Sequence, residues 1–137
     1  MKLVVVDTNV LFAALRSTNS KLREVLLDRK EDITLYAPNF LVGEIFRHKD
    51  KILQKSHLSP EEVYEVLNYL LQGINFVSEQ AISTANLVAA YRLCKDIDPK
   101  DFLFVALTLE INGELWTRDE ELKRGLEKKG FLLFFEE

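Results

Sequence analysis

The chain has 137 residues, 47% of them hydrophobic and 29% charged, with a formal net charge of −4; this suits one domain around one core and argues against a generic nucleic-acid coat, though not against an enzyme that acts on nucleic acid. A single cysteine, Cys94, excludes an internal disulfide and any Cys/His zinc pattern, and points to a reducing, cytoplasmic setting. No stretch reads as a signal peptide, or as the roughly 20 apolar residues needed to span a membrane.

The chain opens on an unbroken, β-branched apolar run, residues 3–6, that ends in Asp7. Such a run fits a strand buried on both faces of a covered parallel sheet. Residues 10–15 are helix-compatible, Arg16-Ser17-Thr18-Asn19 breaks them, and Ser20 caps a second short helix bearing Leu22, Val25 and Leu26. Residues 33–37 form strand 2, stopped by Pro38. Asn39 caps a helix with Phe40, Leu41, Ile45 and Phe46 on its apolar side, which turns basic at Arg47 and ends near Ser56. Ser59-Pro60-Glu61-Glu62 is a helix start with a capping box. Gly73 ends that helix, residues 74–77 form strand 3, and Ser78 opens a long helix to about Lys95. Asp98-Pro99-Lys100-Asp101 begins the apolar helix 102–109, and Asn112-Gly113 is a turn. Strand 4 covers 114–117, Asp119 caps a helix to Lys129, Gly130 stops it, and strand 5 covers 131–135.

This alternation predicts an α/β fold: a central five-stranded parallel sheet with helices on both faces, a three-layer α/β/α sandwich forming a single domain over residues 1–137. The expected strand order is 3-2-1-4-5, which puts the point where the chain winds in opposite directions between strands 1 and 4.

Ligands bind at such points, beyond the carboxyl ends of the strands. Asp7 ends strand 1 and Asp119 follows strand 4, so the two share one crevice if those strands are neighbours. Glu44 lies one to two turns into the helix after strand 2, and Asp101 opens the helix that leads to strand 4. Four converging carboxylates repel one another unless a cation sits among them. Carboxylate ligands favour Mg2+ or Mn2+. Such an ion lowers the pKa of bound water and neutralises charge building on a phosphoryl group, so no side-chain nucleophile is required.

Asp7-Thr8-Asn9-Val10-Leu11, Glu44-Ile45, Asp101-Phe102-Leu103-Phe104-Val105-Ala106 and Thr117-Arg118-Asp119 occur in that order. In these four pieces the whole chain resembles the PIN-domain proteins, a family of small metal-dependent ribonucleases. The resemblance implies an Mg2+ or Mn2+ site made by Asp7, Glu44, Asp101 and Asp119, which are both the catalytic and the metal-holding residues, with Asn9 and Thr117 orienting the carboxylates. Phe12 departs from the family's pattern, where smaller aliphatics are usual. Many relatives are VapC-type toxins with an antitoxin partner, and many pair into homodimers. The resemblance therefore implies an RNA substrate, an antitoxin and a second copy as partners.

Each acid also has a bland reading. Asp7 fits a strand end bonded to a nearby turn, Asp119 an N-cap, Asp101 a charge favoured by a helix dipole, and Glu44 a solvated helix residue. Asp98 reads mainly as a cap. The basic residues Arg47, His48, Lys49, Lys51 and Lys55 fit either a phosphate track or a solvated face, as does Arg118 beside the crevice; of these, Arg47, Lys49 and Arg118 are the candidate substrate contacts. Arg16 is a weaker one, and His48 and His57 have no partner pattern that would make either a base. Phe131, Phe134 and Phe135 read as strand and core.

The reading that follows is a divalent-metal endoribonuclease. The alternative is a non-catalytic RNA- or protein-binding module of the same fold. A phospho-acceptor domain would also use a strand-end Asp, but no second Asp follows two residues on.

Overall fold

The β-branched run becomes β1 (Lys2–Val6), the strand the rest is laid against. Val4, Val5 and Val6 have no exposed surface. Because successive side chains in a strand point to opposite faces, the sheet is covered on both sides there. The computed structural model describes residues 1–16, 20–27 and 32–137. The break expected at Ser17-Thr18-Asn19 lies outside the described residues, as does the side chain of Ser20.

From β1 the chain runs through α1 (Thr8–Arg16) and α2 (Ser20–Leu27) to β2 (Ile33–Pro38). It continues through α3 (Phe40–Arg47), α4 (Lys49–Lys55) and α5 (Pro60–Gln72) to β3 (Ile74–Val77). Then α6 (Thr84–Cys94) and α7 (Phe102–Ile111) lead to β4 (Glu114–Trp116), and α8 (Glu120–Lys128) follows. The sheet is parallel with order β3-β2-β1-β4, as expected for its first four strands. The capping box at Ser59 and Glu62 is formed as the sequence implied.

The apolar helix α7 packs on β1 and β2 and is covered by α6. Phe104, Val105, Ala106 and Leu107 have no exposed surface, as expected for a helix apolar on every side. At its end Asn112 takes a left-handed conformation (φ 52°), and Gly113 passes β1 so closely that a Cβ there would lie 2.5 Å from the Leu3 carbonyl oxygen. The turn is therefore tied to a residue with no side chain, and it aims β4 along β1.

The structure corrects four local expectations. Strand 5 is reduced to one parallel bridge between Leu115 and Phe134. Leu115 N–H donates to Leu133 (2.8 Å) and Phe135 N–H to Leu115 (2.9 Å), but Phe134 N–H donates back to Leu132 (3.0 Å). That three-residue turn diverts the segment before a ladder can form. Phe131 and Phe135 are still buried, and Trp116 lies against Phe135 at 4.9 Å between ring centres.

The helix expected after strand 2 is split at His48, whose backbone (φ −105°, ψ 13°) leaves helical geometry between α3 and α4. Asn39 makes no side-chain cap. Instead Glu79 Oε2 accepts from the Phe40 N–H at 2.7 Å, from 39 residues away in the chain. The helix expected from Ser78 is also split: Ser78 caps a 3-10 turn (Glu79–Ala81) and Ser83 caps α6.

Candidate active site

The pairing of β1 with β4 sets Val6 opposite Trp116, so Asp7 and Thr117 meet immediately beyond the strand ends. The Asp7 N–H continues the ladder to the Trp116 carbonyl (2.9 Å). The Thr117 hydroxyl donates to Asp7 Oδ2 at 2.8 Å, and the Asn9 amide donates to the same oxygen at 3.1 Å. Asn9 Nδ2 also lies 3.2 Å from Thr117 Oγ1, and Asn9 Oδ1 accepts from the Arg118 N–H at 3.0 Å. Asn9 and Thr117 thus both bond one buried carboxylate.

Glu44 arrives on α3, whose neighbours Leu41 and Ile45 are buried. Its Oε1 accepts from the Thr8 hydroxyl at 2.8 Å, so Glu44 is tied to the residue that follows Asp7.

The third group is built by two helix starts. Asp98 accepts from the Lys100 N–H (3.1 Å) and caps a 3-10 turn, Pro99–Asp101. Side chains three apart eclipse in a 3-10 turn, so Asp98 and Asp101 project together. Asp119 caps α8, accepting from the Leu122 N–H at 3.0 Å. One carboxylate oxygen from each of Asp98, Asp101 and Asp119 lies within 4.8 Å of the others. Asp98 is the residue that sequence reasoning undervalued. Its signal is the Asp-Pro-Lys-Asp spacing, which a 3-10 turn folds onto one side.

The groups are close enough to perturb each other. Burial pushes the Asp7 carboxyl up to about 7, with Glu44 and Asp119 adding to the rise and the bonds from Thr117 and Thr8 opposing it. Burial also pushes Asp101 up to about 8, with Asp7, Asp98, Asp119 and Glu44 all contributing. Asp7, Glu44, Asp101 and Asp119 therefore converge, and Asp98 joins them. Among the described residues, no ion pair reaches any of these five acids.

The candidate substrate contacts are not grouped in this way. The Arg118 backbone N–H is bonded to Asn9 beside the acids, but its guanidinium turns to Glu137, with Nε 3.9 Å away. Arg47 is exposed at the end of α3, and Lys49 faces a cleft with Phe46 and Tyr64.

No curated protein matches the chain significantly. The crystal structure of VapBC2 from Rickettsia felis bound to a DNA fragment from their promoter contains a chain of the same fold, with a TM-score of 0.68 at 16% identity over 89% of this chain and 92% of that one. A family model described as PIN domain matches residues 5–131, from inside β1 to the bend beyond α8. That span takes in every strand end and helix start from which the five acids project, and the chain belongs to the PIN-domain family.

Proposed function

We propose that this chain is a divalent-metal-dependent endoribonuclease that hydrolyses RNA phosphodiester bonds, and that it is the toxin of a toxin–antitoxin pair. PIN domains are generally nucleases, and the observation that carries the reading here is the convergence of five carboxylates, none of which is in an ion pair among the described residues.

The residues present fit a hard divalent cation. Every donor is a carboxylate oxygen, three of them lie within 4.8 Å of one another, and burial with neighbouring acids raises both Asp7 and Asp101. Asp7, Glu44, Asp101 and Asp119, with Asp98, would hold Mg2+ or Mn2+. Bound there, the ion would supply acidity to water and screen charge on the phosphoryl oxygens.

The chain's own contribution is positioning. Thr117 and Asn9 fix the plane of the Asp7 carboxylate, and Thr8 fixes Glu44. Asp98 and Asp119 are each held by a backbone N–H. Arg118, whose backbone N–H is bonded to Asn9, is a candidate phosphate contact, as are the more remote Arg47 and Lys49.

The partners proposed are the RNA, an antitoxin and a second copy of the chain. The likeness to a chain of VapBC2 supports the antitoxin. The exposed Val88 and Tyr91, three apart on α6, support a self-contact. Among the described residues, no helix is long and apolar enough to cross a membrane.

The test is cleavage of an end-labelled, mixed-sequence single-stranded RNA with Mg2+, with Mn2+ and with EDTA, comparing the natural chain with Asp7→Asn. Cleavage is expected with either metal, and neither with EDTA nor in the variant. Equal cleavage by the variant would remove Asp7 from the mechanism. RNA retention without cleavage by either protein would favour the binding module.

A further inference from the structure

The helix α1 starts at the acids, where Thr8 donates to Glu44. Phe12 and Arg16 follow at four-residue steps and share that face of the helix, about 6 and 12 Å further along its axis. There the helix meets α4, and a groove of about 220 Å³ opens between them, lined by Phe12, Arg16, His48, Lys51, Ile52 and Lys55.

The groove has an apolar floor and a cationic rim. Ile52 is buried beneath it, and the Phe12 and His48 rings meet edge to face at 5.8 Å. Arg16, Lys51 and Lys55 are exposed, and among the described residues none of them is in an ion pair. Lys51 and Lys55 are one turn apart on α4. Their side chains therefore fall on one face of the helix.

We propose that this groove is a nucleotide subsite for single-stranded RNA. The base lies against the Phe12–His48 pair, and the flanking phosphates take Arg16, Lys51 and Lys55. An aromatic face with cations around it is the combination that holds an unpaired nucleotide. An acidic protein segment would use the cations but has no need of the ring pair. Two of its lining residues, Phe12 and Arg16, also share one face of α1 with Thr8, which is bonded to Glu44 where the nuclease reading puts the bond to be cut. The subsite rests on that reading for its role in cleavage and stands apart from it for binding. It moves the phosphate track away from Arg47 and Lys49: Lys49 faces the cleft with Phe46 and Tyr64, and Arg47 lines neither hollow.

The experiment is anisotropy of a short, labelled, mixed-sequence single-stranded RNA in EDTA across a range of salt, for the natural chain, Lys51→Gln/Lys55→Gln and Phe12→Leu. The double variant is expected to weaken binding about tenfold and to flatten the log–log salt slope by about 1.4, from two lost phosphate contacts at about 0.7 each. Phe12→Leu is expected to weaken binding about fivefold with the slope unchanged. Titration with Mn2+ alone is expected to match the natural chain in both variants. Absence of RNA binding by the natural chain, or unchanged binding by the double variant, overturns the subsite. So does loss of Mn2+ binding in the double variant, which would make the lysines supports of the fold. Displacement of the RNA by polyglutamate of equal charge, unaffected by Phe12→Leu, overturns it in favour of an acidic protein partner. Groove-dependent RNA binding without cleavage in Mg2+ or Mn2+ upholds the subsite while the nuclease reading fails. Metal-dependent cleavage with an unchanged KM in the double variant does the reverse.

Discussion

The acid cluster has two unlike halves. Asp7 is 3% exposed, projects from a strand end, and is held by side-chain donors, Thr117 and Asn9. Asp98, Asp101 and Asp119 are half-buried at helix starts, and two of them are held by backbone N–H groups of the turns they open. A helix start favours negative charge through its free N–H groups and dipole, which supports the capping acids Asp98 and Asp119, whereas Asp101 makes no cap and is raised by burial as Asp7 is. Asp7 also precedes a helix, α1, and a backbone bond from Thr8 supports its charge, but deep burial outweighs this and leaves it leaning on the two side chains as well. One cluster thus combines two acids that cost stability, Asp7 and Asp101, with two capping acids that contribute to it.

The largest effect that would break this contrast is the pH dependence of the metal-free protein. Asp7 and Asp101 rise from 3.8 to about 7 and about 8 on folding. The folded state therefore binds the extra protons, and stability falls as pH rises from about 4 to about 8. For Asp7 the cost above that window is on the order of a few kcal/mol. Asp7→Asn is expected to unfold at higher temperature than the natural chain at pH 7.5 in EDTA, with the gap closing toward pH 4. Thermal melts at a series of pH values check this, and equal curves would mean that Asp7 is no liability.

Next is Thr117→Val, which strips the Asp7 carboxylate of a donor. It is expected to destabilise by about 1–3 kcal/mol in urea titrations and to raise the Mn2+ concentration needed for binding. A smaller effect separates the two duties of Asp119. Asp119→Ala is expected to lose about 1 kcal/mol of stability through the cap, whereas Asp119→Ser keeps the cap, and both lose cleavage. The smallest is Asp98→Asn, expected to change stability by less than about 0.5 kcal/mol while weakening Mn2+ binding in calorimetry.

The strand-end half of the site was legible in the sequence because an apolar run that stops at a carboxylate is a local pattern, and Asn9 and Thr117 flank it in its own motifs. The Asp98 contribution was hidden because capping and clustering look alike until the 3-10 turn is seen. In the fold, the first four strands followed from short apolar runs bounded by turn residues. The fifth did not, since Phe131-Leu132-Leu133-Phe134-Phe135 has strand composition and only the backbone turn at Leu133 diverts it. Leu132, 69% exposed, shows that its outer side has no partner layer. The split at His48 was invisible because no glycine or proline marks it, and the cap on α3 comes from Glu79, a contact across sequence distance that no local pattern encodes.

The chain carries a single tryptophan, and Trp116 is the residue before Thr117. It is 1% exposed, and its indole N–H donates to Glu137 at 3.0 Å. The site therefore contains its own fluorophore, shielded from solvent quenching and covalently next to the clamp on Asp7. Stopped-flow emission of the unlabelled protein on mixing with Mg2+ or Mn2+ is therefore a direct test of cation binding at the strand ends, with no dye or tag to disturb the acids.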